Sequence, residues 1–237
     1  MQLKLFTRNV SKSLRIGSKT RTKKTFKPNT VNGPDWNLWT QGTDGEKEMA
    51  LLFLDIRNFT PLVEAHLAFD IIHLIKKIFS NFQGIIRSHH GRIIETSGDG
   101  FYAAFGFDRD IKEAVNDAVQ AGTMILKNLE TLNERSFEQK LNRKIEAGIG
   151  LHAGKVATGN MQLGSEDHLI VMGYPVNVAS RLQAATKELN NSFLVSSAVF
   201  DLLDHPPTDK PTVKVNLKGV TSPFQLHLIG KPYTFGS

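Results

Sequence analysis

Two stretches of sequence decide the fold: EMALLFLDI at residues 48–56 and ETSGDGFYAAF at residues 95–105. The first is an apolar run of strand length that ends on an acid. The second stretch joins two predicted strands, one at 92–96, which begins three residues before it, and one at 101–105. Between them lies Gly98-Asp99-Gly100, which is typical of a tight hairpin turn. Between the two stretches, Thr60-Pro61 predicts a helix start, and a period near 3.6 predicts a long helix to about His89, through Phe69, Ile72, Ile75, Phe79, Phe82 and Ile86.

The rest of the body continues to mix helices with strands. Helices are predicted at 111–132 and 176–188, and strands at 168–172, 193–196, 213–217 and 224–229. A second hairpin is predicted from strands at 144–152 and 155–158, with a break between them at Ala153-Gly154. Hairpins stand where a doubly wound parallel sheet would need helical crossovers, so the order of elements predicts an α+β sandwich.

Positive charge is concentrated at the N-terminus. Residues 1–34 hold nine of the 29 Lys and Arg and none of the 23 acids, which leaves 20 basic against 23 acidic side chains in the rest of the chain. The body therefore lacks the basic surface of a nucleic-acid-binding domain, and we predict no nucleic acid partner. We divide the chain into a basic tail and linker, residues 1–45, and a folded domain, residues 46–237.

Three interpretations stay open for residues 1–27, where Leu3, Phe6, Val10 and Leu14 would line one face of a short basic helix. They are contact with an anionic membrane surface, docking to a partner subunit, and poor order. The longest apolar run, at 49–54, is far shorter than the roughly 20 residues of a membrane span, and no secretory signal follows the basic start. With no cysteine in the chain, we predict a cytoplasmic protein, with membrane association through the tail left open.

Two acidic residues are candidates for metal binding. Asp55 ends a strand of buried type, and Asp99 lies at the hairpin tip, where a turn role would suffice by itself. A carboxylate at the end of an apolar run needs a partner, and two carboxylates from neighbouring strands are hard oxygen ligands that hold Mg²⁺ together with phosphates.

A polar helix face and a glycine-rich strand are the other notable features. Asn177 and Arg181 are four residues apart, so they share a helix face, and an amide beside a guanidinium suits a ribose and a phosphate. The run GIGLHAGKV at 148–156 imitates a dinucleotide or phosphate loop, but its glycines lie within a predicted strand and no helix opens after them. These glycines predict the close approach of another backbone.

Together these segments resemble the catalytic domain of the class III nucleotidyl cyclases, which include adenylate and guanylate cyclases. The resemblance covers roughly residues 46–230 and follows the family's order through FLDIRNFT at 53–60, ETSGDGFYAAF at 95–105, GIGLHAGKVATGN at 148–160, MGYPVNVASR at 172–181 and NLKGVTSPFQLHLI at 216–229. It implies a ferredoxin-like or palm-type antiparallel sheet with packed helices.

The resemblance also implies the cofactor and the first part of the site. Asp55 and Asp99 correspond to the two aspartates that bind two Mg²⁺ or Mn²⁺ ions, and the Ile56 carbonyl corresponds to an additional ligand. The substrate would be a nucleoside triphosphate and the product a 3′,5′-cyclic nucleotide plus pyrophosphate, used in second-messenger signalling.

The second part of the site comes from the C-terminal half of the chain. The resemblance implies that Asn177 orients the ribose, that Arg181 stabilises charge on the phosphates, and that Lys218 contacts the terminal phosphates. In the family these residues and the metal aspartates come from opposite subunits of a head-to-tail dimer. Both sets are present here, so the resemblance implies a homodimer with shared active sites.

The residues at the base-reading positions leave the substrate open. Glu95 stands where guanylate cyclases have Glu and adenylate cyclases have Lys, which favours GTP slightly, because a carboxylate accepts from guanine N1–H and N2–H₂. Ile170 stands where the family has a polar residue, and it offers neither a donor nor an acceptor. ATP and a pyrimidine triphosphate therefore remain alternatives, as does a nucleotide-binding regulatory module that has lost turnover.

Overall fold

The structure, a computed structural model, describes residues 45–137, 141, 143–163, 166–220 and 223–234. Its strands are β1 (Gly45–Ile56), β2 (Gly91–Ser97), β3 (Gly100–Phe105), β4 (Ala147–Leu163), β5 (Glu166–Met172), β6 (Phe193–Ser196), β7 (Thr212–Val215) and β8 (Phe224–Leu228). Its helices are α1 (Phe59–Ala65), α2 (Ala68–Ser88), α3 (Ile111–Leu132), α4 (Tyr174–Glu188) and α5 (Ser197–Phe200), and a π-helical turn, Asn133–Phe137, follows α3.

The strands form one eight-stranded sheet in the order β2-β3-β1-β4-β6-β8-β7, and β5 pairs with the far end of β4. Neighbouring strands are antiparallel except for β4 and β6, which are parallel. β1 lies between β3 and β4, so both hydrogen-bonding edges of the strand that carries Asp55 are paired. The predicted α+β class with an antiparallel sheet is confirmed.

Alternate residues of β1 belong to two different cores. Leu52 and Leu54 pack among the apolar side chains of α2 and α3, while Met49 and Leu51 pack with Ala179 of α4. Successive side chains of a strand point to opposite faces. Asp55 therefore lies on the face of the sheet that carries α4.

The predicted hairpin break at Ala153-Gly154 is wrong, because β4 runs through this dipeptide as one strand from Ala147 to Leu163. The glycines serve helix packing instead. A Cβ on Gly150 would lie 2.1 Å from the backbone nitrogen of Gln183, and one on Gly154 would lie 2.8 Å from the Pro175 ring. The prediction that this run allows a close backbone approach is confirmed, and the approaching backbone is that of α4.

The helix predicted after β1 is divided in two. α1 begins at Phe59 rather than after a Thr60 cap, and its N-cap, Asn58, has left-handed backbone angles, φ 52° and ψ 40°. α2 begins again at Ala68, and its buried stripe starts at Ile71. Phe69 and Ile72, which the periodicity placed in the same stripe, are 70% and 51% exposed, because at 3.6 residues per turn they lie to one side of the buried stripe formed by Ile71, Ile78, Phe82 and Ile86.

Other predicted elements agree closely with the structure. α3 spans the predicted range, and Asp110 and Glu113 close its N-terminus with reciprocal side-chain bonds. No helix in the described ranges is long and apolar enough to cross a membrane. The basic helix predicted within residues 1–27, and the tail that it belongs to, lie outside the described residues, so the division of the chain at residue 45 stays a prediction.

Candidate active site

The end of β1 meets the β2–β3 hairpin at the two predicted metal ligands. Asp55 lies opposite Gly100 of β3, and the Ile56 N–H donates to the carbonyl oxygen of Asp99 at 3.1 Å. A Cβ on Gly100 would lie 2.9 Å from Asp55 Oδ1 and 2.7 Å from the Leu54 carbonyl oxygen. Glycine at this position therefore lets the Asp55 carboxylate lie directly against the hairpin that carries Asp99.

The charge on this carboxylate pair is unfavourable without a cation. Burial raises the pKa of Asp55 to about 6, the negative charge of Asp99 adds to this effect, and the Ile56 N–H and the Arg57 guanidinium oppose it. Two carboxylates and a backbone carbonyl are hard oxygen donors, and Mg²⁺ is usually held by one or two carboxylates together with substrate phosphates. The described residues include no group of three or more His, Cys, Asp or Glu placed to hold a metal by themselves. The donor set therefore fits Mg²⁺ or Mn²⁺ that is bound jointly with a triphosphate.

Behind Asp55, the chain is held by contacts that the sequence did not reveal. The Arg57 N–H donates to the carbonyl oxygen of Glu146 at 2.7 Å, and the Arg57 guanidinium lies 4.4 Å from the centre of the Tyr233 ring. Burial raises the pKa of Tyr233. Tyr233 follows β8, the last strand in the sequence, where no periodicity or spacing marked it as a neighbour of the candidate metal site.

The second part of the site lies on α4 and on the segment after β7. Asn177 is exposed and Arg181 is half-buried, and both are on the side of α4 away from the sheet, since Ala179 and Gln183 contact the sheet at Gly150. A Cβ on Gly219, which has φ 70°, would lie 3.1 Å from Arg181 Nη2. The structure therefore brings the Arg181 guanidinium next to the turn at Gly219, and the side chain of the preceding residue, Lys218, is exposed.

Within one chain, Asn177 and Arg181 are on the side of α4 away from the sheet that carries the carboxylates. A Cβ on Gly148, which is paired with Asp55, would lie 2.4 Å from Thr186 Oγ1, so the C-terminal end of α4 lies nearest the carboxylates. Asn177 is near the other end of α4, and nine residues at about 1.5 Å each separate it from Thr186 by roughly 13 Å along the helix axis. Asn177 also faces away from the sheet, whereas Asp55 lies on it.

The two predicted base-reading positions are connected by a tyrosine. Glu95 is exposed and lies opposite Tyr102 in the β2–β3 pair, and the Tyr102 hydroxyl donates to the carbonyl oxygen of Val171 at 3.2 Å, next to Ile170. The Tyr102 ring stacks on Phe53 with ring centres 4.9 Å apart. Burial, followed by the charge of Glu95, raises the Tyr102 pKa to about 12. No sequence pattern marked Tyr102 as part of the site, although it lies within the ETSGDGFYAAF motif at residues 95–105.

Comparison with known proteins identifies the family. Residues 43–229 match the family model described as the adenylate and guanylate cyclase catalytic domain. The match covers most of the chain, and the chain belongs to this family. The resemblance drawn from the sequence motifs is thereby confirmed.

Individual relatives are distant. Adenylate cyclase 1 of Rhizobium meliloti is 26% identical over 153 residues, which are 65% of this chain and 23% of that protein. An uncharacterized protein of Mycobacterium tuberculosis is 30% identical over 152 residues, which are 64% of this chain and 27% of that protein. The chain thus spans about a quarter of the length of these two relatives.

Solved structures share the fold. The adenylyl cyclase CyaB from P. aeruginosa superposes with a TM-score of 0.70 at 23% identity, over 82% of this chain and 100% of that one. The guanylyl cyclase Cya2 superposes with a TM-score of 0.71 at 23% identity, over 82% of this chain and 99% of that one. The fold is therefore common to a neighbour described as an adenylyl cyclase and to one described as a guanylyl cyclase.

Proposed function

We propose that this protein is a nucleotidyl cyclase that converts a purine nucleoside triphosphate to its 3′,5′-cyclic monophosphate and pyrophosphate, as a cytoplasmic homodimer with two shared sites. One observation carries the proposal: Asp55 and Asp99 meet at the end of β1, while Arg181 lies at Lys218-Gly219 on an outward surface of the same chain. A head-to-tail pair of chains would place the outward surface of one over the carboxylates of the other.

The proposed reaction needs binding, orientation and charge neutralisation. The ribose 3′-oxygen loses its proton and bonds to the α-phosphorus, and the bond from that phosphorus to the bridging oxygen of pyrophosphate breaks. Two Mg²⁺ or Mn²⁺ ions, when bound, would lower the pKa of the attacking hydroxyl and neutralise phosphate charge. Asp55, Asp99 and the Ile56 carbonyl would hold them.

The residues on α4 and after β7 would act on the substrate directly. Asn177 would orient the ribose so that its 3′-hydroxyl is in line with the leaving group. Arg181 would neutralise the charge that develops on the phosphates, and Lys218 would bind the terminal phosphates. A planar guanidinium suits the first of these two tasks because it can contact two phosphate oxygens at once.

Glu95 and Ile170 would decide the base. Glu95 is exposed on the sheet face that also carries Tyr102 and Phe53, where it could accept from guanine N1–H and N2–H₂. It could also accept from the adenine N6 amine, and Ile170 provides no polar contact that separates the two purines. We therefore propose GTP or ATP, with a lean to GTP; a pyrimidine triphosphate is the third candidate.

The experiment that tests this function is incubation of the purified chain with ATP, GTP, CTP and UTP in turn, with Mg²⁺ or Mn²⁺. We expect a cyclic purine nucleotide and an equal amount of pyrophosphate. A cyclic pyrimidine nucleotide would contradict the purine assignment. If calorimetry detects triphosphate binding but no product forms from any of the four, the protein is the regulatory module that Ile170 favours.

The basic residues 1–27 provide a separate proposal of contact with an anionic membrane surface or a partner. Nine cations without an acid would bind a negatively charged surface by charge attraction. Co-sedimentation with phosphatidylserine vesicles should fall when residues 1–27 are deleted. Equal partitioning of the full and the shortened chain would contradict the membrane contact.

A further inference from the structure

We propose that residues 230–234, which we call the C-terminal strap, hold the end of β1 and the turn after it in place, with Tyr233 as the positioning residue. These residues, 55–58, are called the loop below. The strap lies beyond the family match, which ends at residue 229. The inference rests on the proposed function only where it takes Asp55 as a metal ligand. The mechanical part, that the strap orders this loop, stands on contacts within the chain.

The strap is fixed to the connection between α4 and β6. The Gly230 N–H donates to Asn191 Oδ1 at 3.1 Å, and the Lys231 N–H donates to Ser192 Oγ at 3.0 Å. The Tyr233 N–H donates to Asn190 Oδ1 at 3.2 Å. Three consecutive side chains, at positions 190–192, thus bind the strap backbone, so the Tyr233 ring is presented from a defined position.

From there the strap contacts the loop in two ways. The Tyr233 ring carries the Arg57 guanidinium at 4.4 Å from its centre, which is a cation–π contact. The Thr234 N–H and hydroxyl both donate to Glu146 Oε1, at 2.7 and 2.9 Å, and the Glu146 carbonyl oxygen accepts from the Arg57 N–H. The strap therefore holds both the side chain and the backbone of the residue two positions after Asp55.

Gly148 makes room for this arrangement. It pairs with Asp55 across β1 and β4, and a Cβ on it would lie 2.8 Å from the Tyr233 hydroxyl oxygen. Tyr233 therefore lies over the strand position next to Asp55 rather than at a remote part of the surface.

The backbone of this loop is strained at one residue. Asn58 has left-handed backbone angles, which cost free energy for most residues other than glycine. Asp55, three positions earlier in the chain, is half-buried. Contacts from a segment that is fixed elsewhere offset the cost at Asn58. The strap would thus keep Asp55 in position for a metal ion before substrate binds.

Amide hydrogen exchange tests the mechanical part without metal or substrate. The Ile56 and Arg57 amides, which donate to Asp99 and Glu146, report directly on the loop. Tyr233→Leu, which keeps an apolar side chain but removes the aromatic face, should speed exchange at both amides about five- to tenfold, the size of one partly desolvated cation–π contact. Tyr233→Phe is the matched control and should stay within about twofold of wild type.

A second variant approaches the same contact from the other side. Arg57→Gln should speed exchange of the Ile56 amide by a similar factor, and the double variant Tyr233→Leu/Arg57→Gln should show no further increase, because both changes remove one contact. Additive effects would overturn the proposal. So would unchanged exchange in either single variant, or a rise that extends equally to the core amide of Leu52. If Tyr233→Leu does not fold, exchange of the Ile56 amide in Arg57→Gln decides whether the strap orders the loop.

Metal affinity and a rescue test the link to the site. Mn²⁺ binding to the nucleotide-free protein, followed by electron paramagnetic resonance, should weaken about fivefold in Tyr233→Leu. Asn58→Gly added to that variant should restore part of the loss, because glycine takes left-handed angles without cost. Unchanged Mn²⁺ affinity with a loosened loop would overturn the link to the site. If wild type without nucleotide binds no Mn²⁺, the link between the strap and a preformed metal site is overturned, amide exchange still decides whether the strap orders the loop, and product formation from the triphosphates decides the proposed function separately.

Discussion

The two halves of the candidate site are built in opposite ways. Asp55 and Asp99 are recessed at the end of the central strand and are held by backbone hydrogen bonds and a close glycine contact. Asn177 and Lys218 are exposed, and the Arg181 guanidinium lies next to the turn at Gly219. One half carries two negative charges at close range, and the other carries two cations that form no ion pair with any acidic residue of the described ranges.

This difference supports the proposed head-to-tail dimer. The recessed half needs positive charge to relieve the repulsion that raises the Asp55 pKa, and the outward half needs an anion. A metal-bound triphosphate between two chains would satisfy both. The comparison therefore predicts different responses to changes in the two halves.

The largest effect is expected from the recessed half. Asp55→Asn and Asp99→Asn should each lower kcat by about a thousandfold or more, because each would remove a charged ligand of the proposed metal ions. Cyclic nucleotide formation under saturating substrate measures this, with the exposed Asp209→Asn as the matched control. More than a tenth of wild-type activity in either variant would remove that residue from the metal site.

Mixing the two halves should recover much of this loss. If the proposed dimer forms, equal amounts of inactive Asp55→Asn and Arg181→Ala chains would give mixed dimers, in which one site carries both changes and the other carries neither. Half of the dimers are then mixed and half of their sites are intact, so activity should return to about a quarter of wild type. If subunit exchange is verified and no activity returns, the two halves do not meet across a dimer.

Arg181→Ala alone should lower kcat by about a hundredfold and raise KM less than threefold. Its contact should strengthen as charge develops on the phosphates, so it contributes more to the transition state than to substrate binding. Steady-state kinetics separates the two parameters, and Arg87→Ala, an exposed arginine on α2, is the control. A rise in KM with unchanged kcat would show uniform binding instead.

Glu95→Lys should shift base preference by about ten- to a hundredfold, the size of one hydrogen bond to a charged group. It should lower GTP use by repelling guanine donors and favour ATP by offering a donor to adenine N1, and Ile170→Asp should add to the shift. The Arg92 guanidinium stacks on Phe107 at 4.5 Å, and no ion pair among the described residues joins it to Glu95. The measurement is the ratio of kcat/KM for GTP and ATP, which would stay constant if Glu95 does not read the base.

The smallest effect concerns stability. The pKa of the Asp55 carboxyl is raised in the folded state from 3.8 to about 6. The folded state therefore binds more protons than the unfolded state in this range, and the free energy of unfolding falls as the pH rises through it. Asp55→Asn should therefore stabilise the metal-free protein above pH 6 and not below pH 4. Allowing for solvent screening of a half-exposed group, the gain is about 1–2 kcal/mol, or a few degrees in Tm. Melting in a chelator at pH 7.5 and at pH 4 tests this, and an equal Tm difference at both values would contradict it.

The sequence predicted most of the secondary structure because local signals were strong. β6 and α3 agree with the predicted ranges, and the β2–β3 turn lies where Gly98-Asp99-Gly100 placed it. The failures have tertiary causes. Glycines in β4 suggested a turn, yet α4 packs on them, and a Thr-Pro pair suggested a cap where Asn58 begins the helix instead. A short-range pattern cannot distinguish a glycine that turns the chain from one that admits a neighbour.

By itself the sequence determined the family, the α+β class and the candidate residues, because the motif residues and their order can be read directly from the amino-acid sequence. Only the tertiary structure decided which of them meet. It placed Asp55 against Asp99, Arg181 against Gly219, and Tyr233 against Arg57, three contacts between residues more than 35 positions apart in the chain. Such contacts depend on strand register and on the packing of α4 on a glycine-lined strand, and no local propensity encodes either of them.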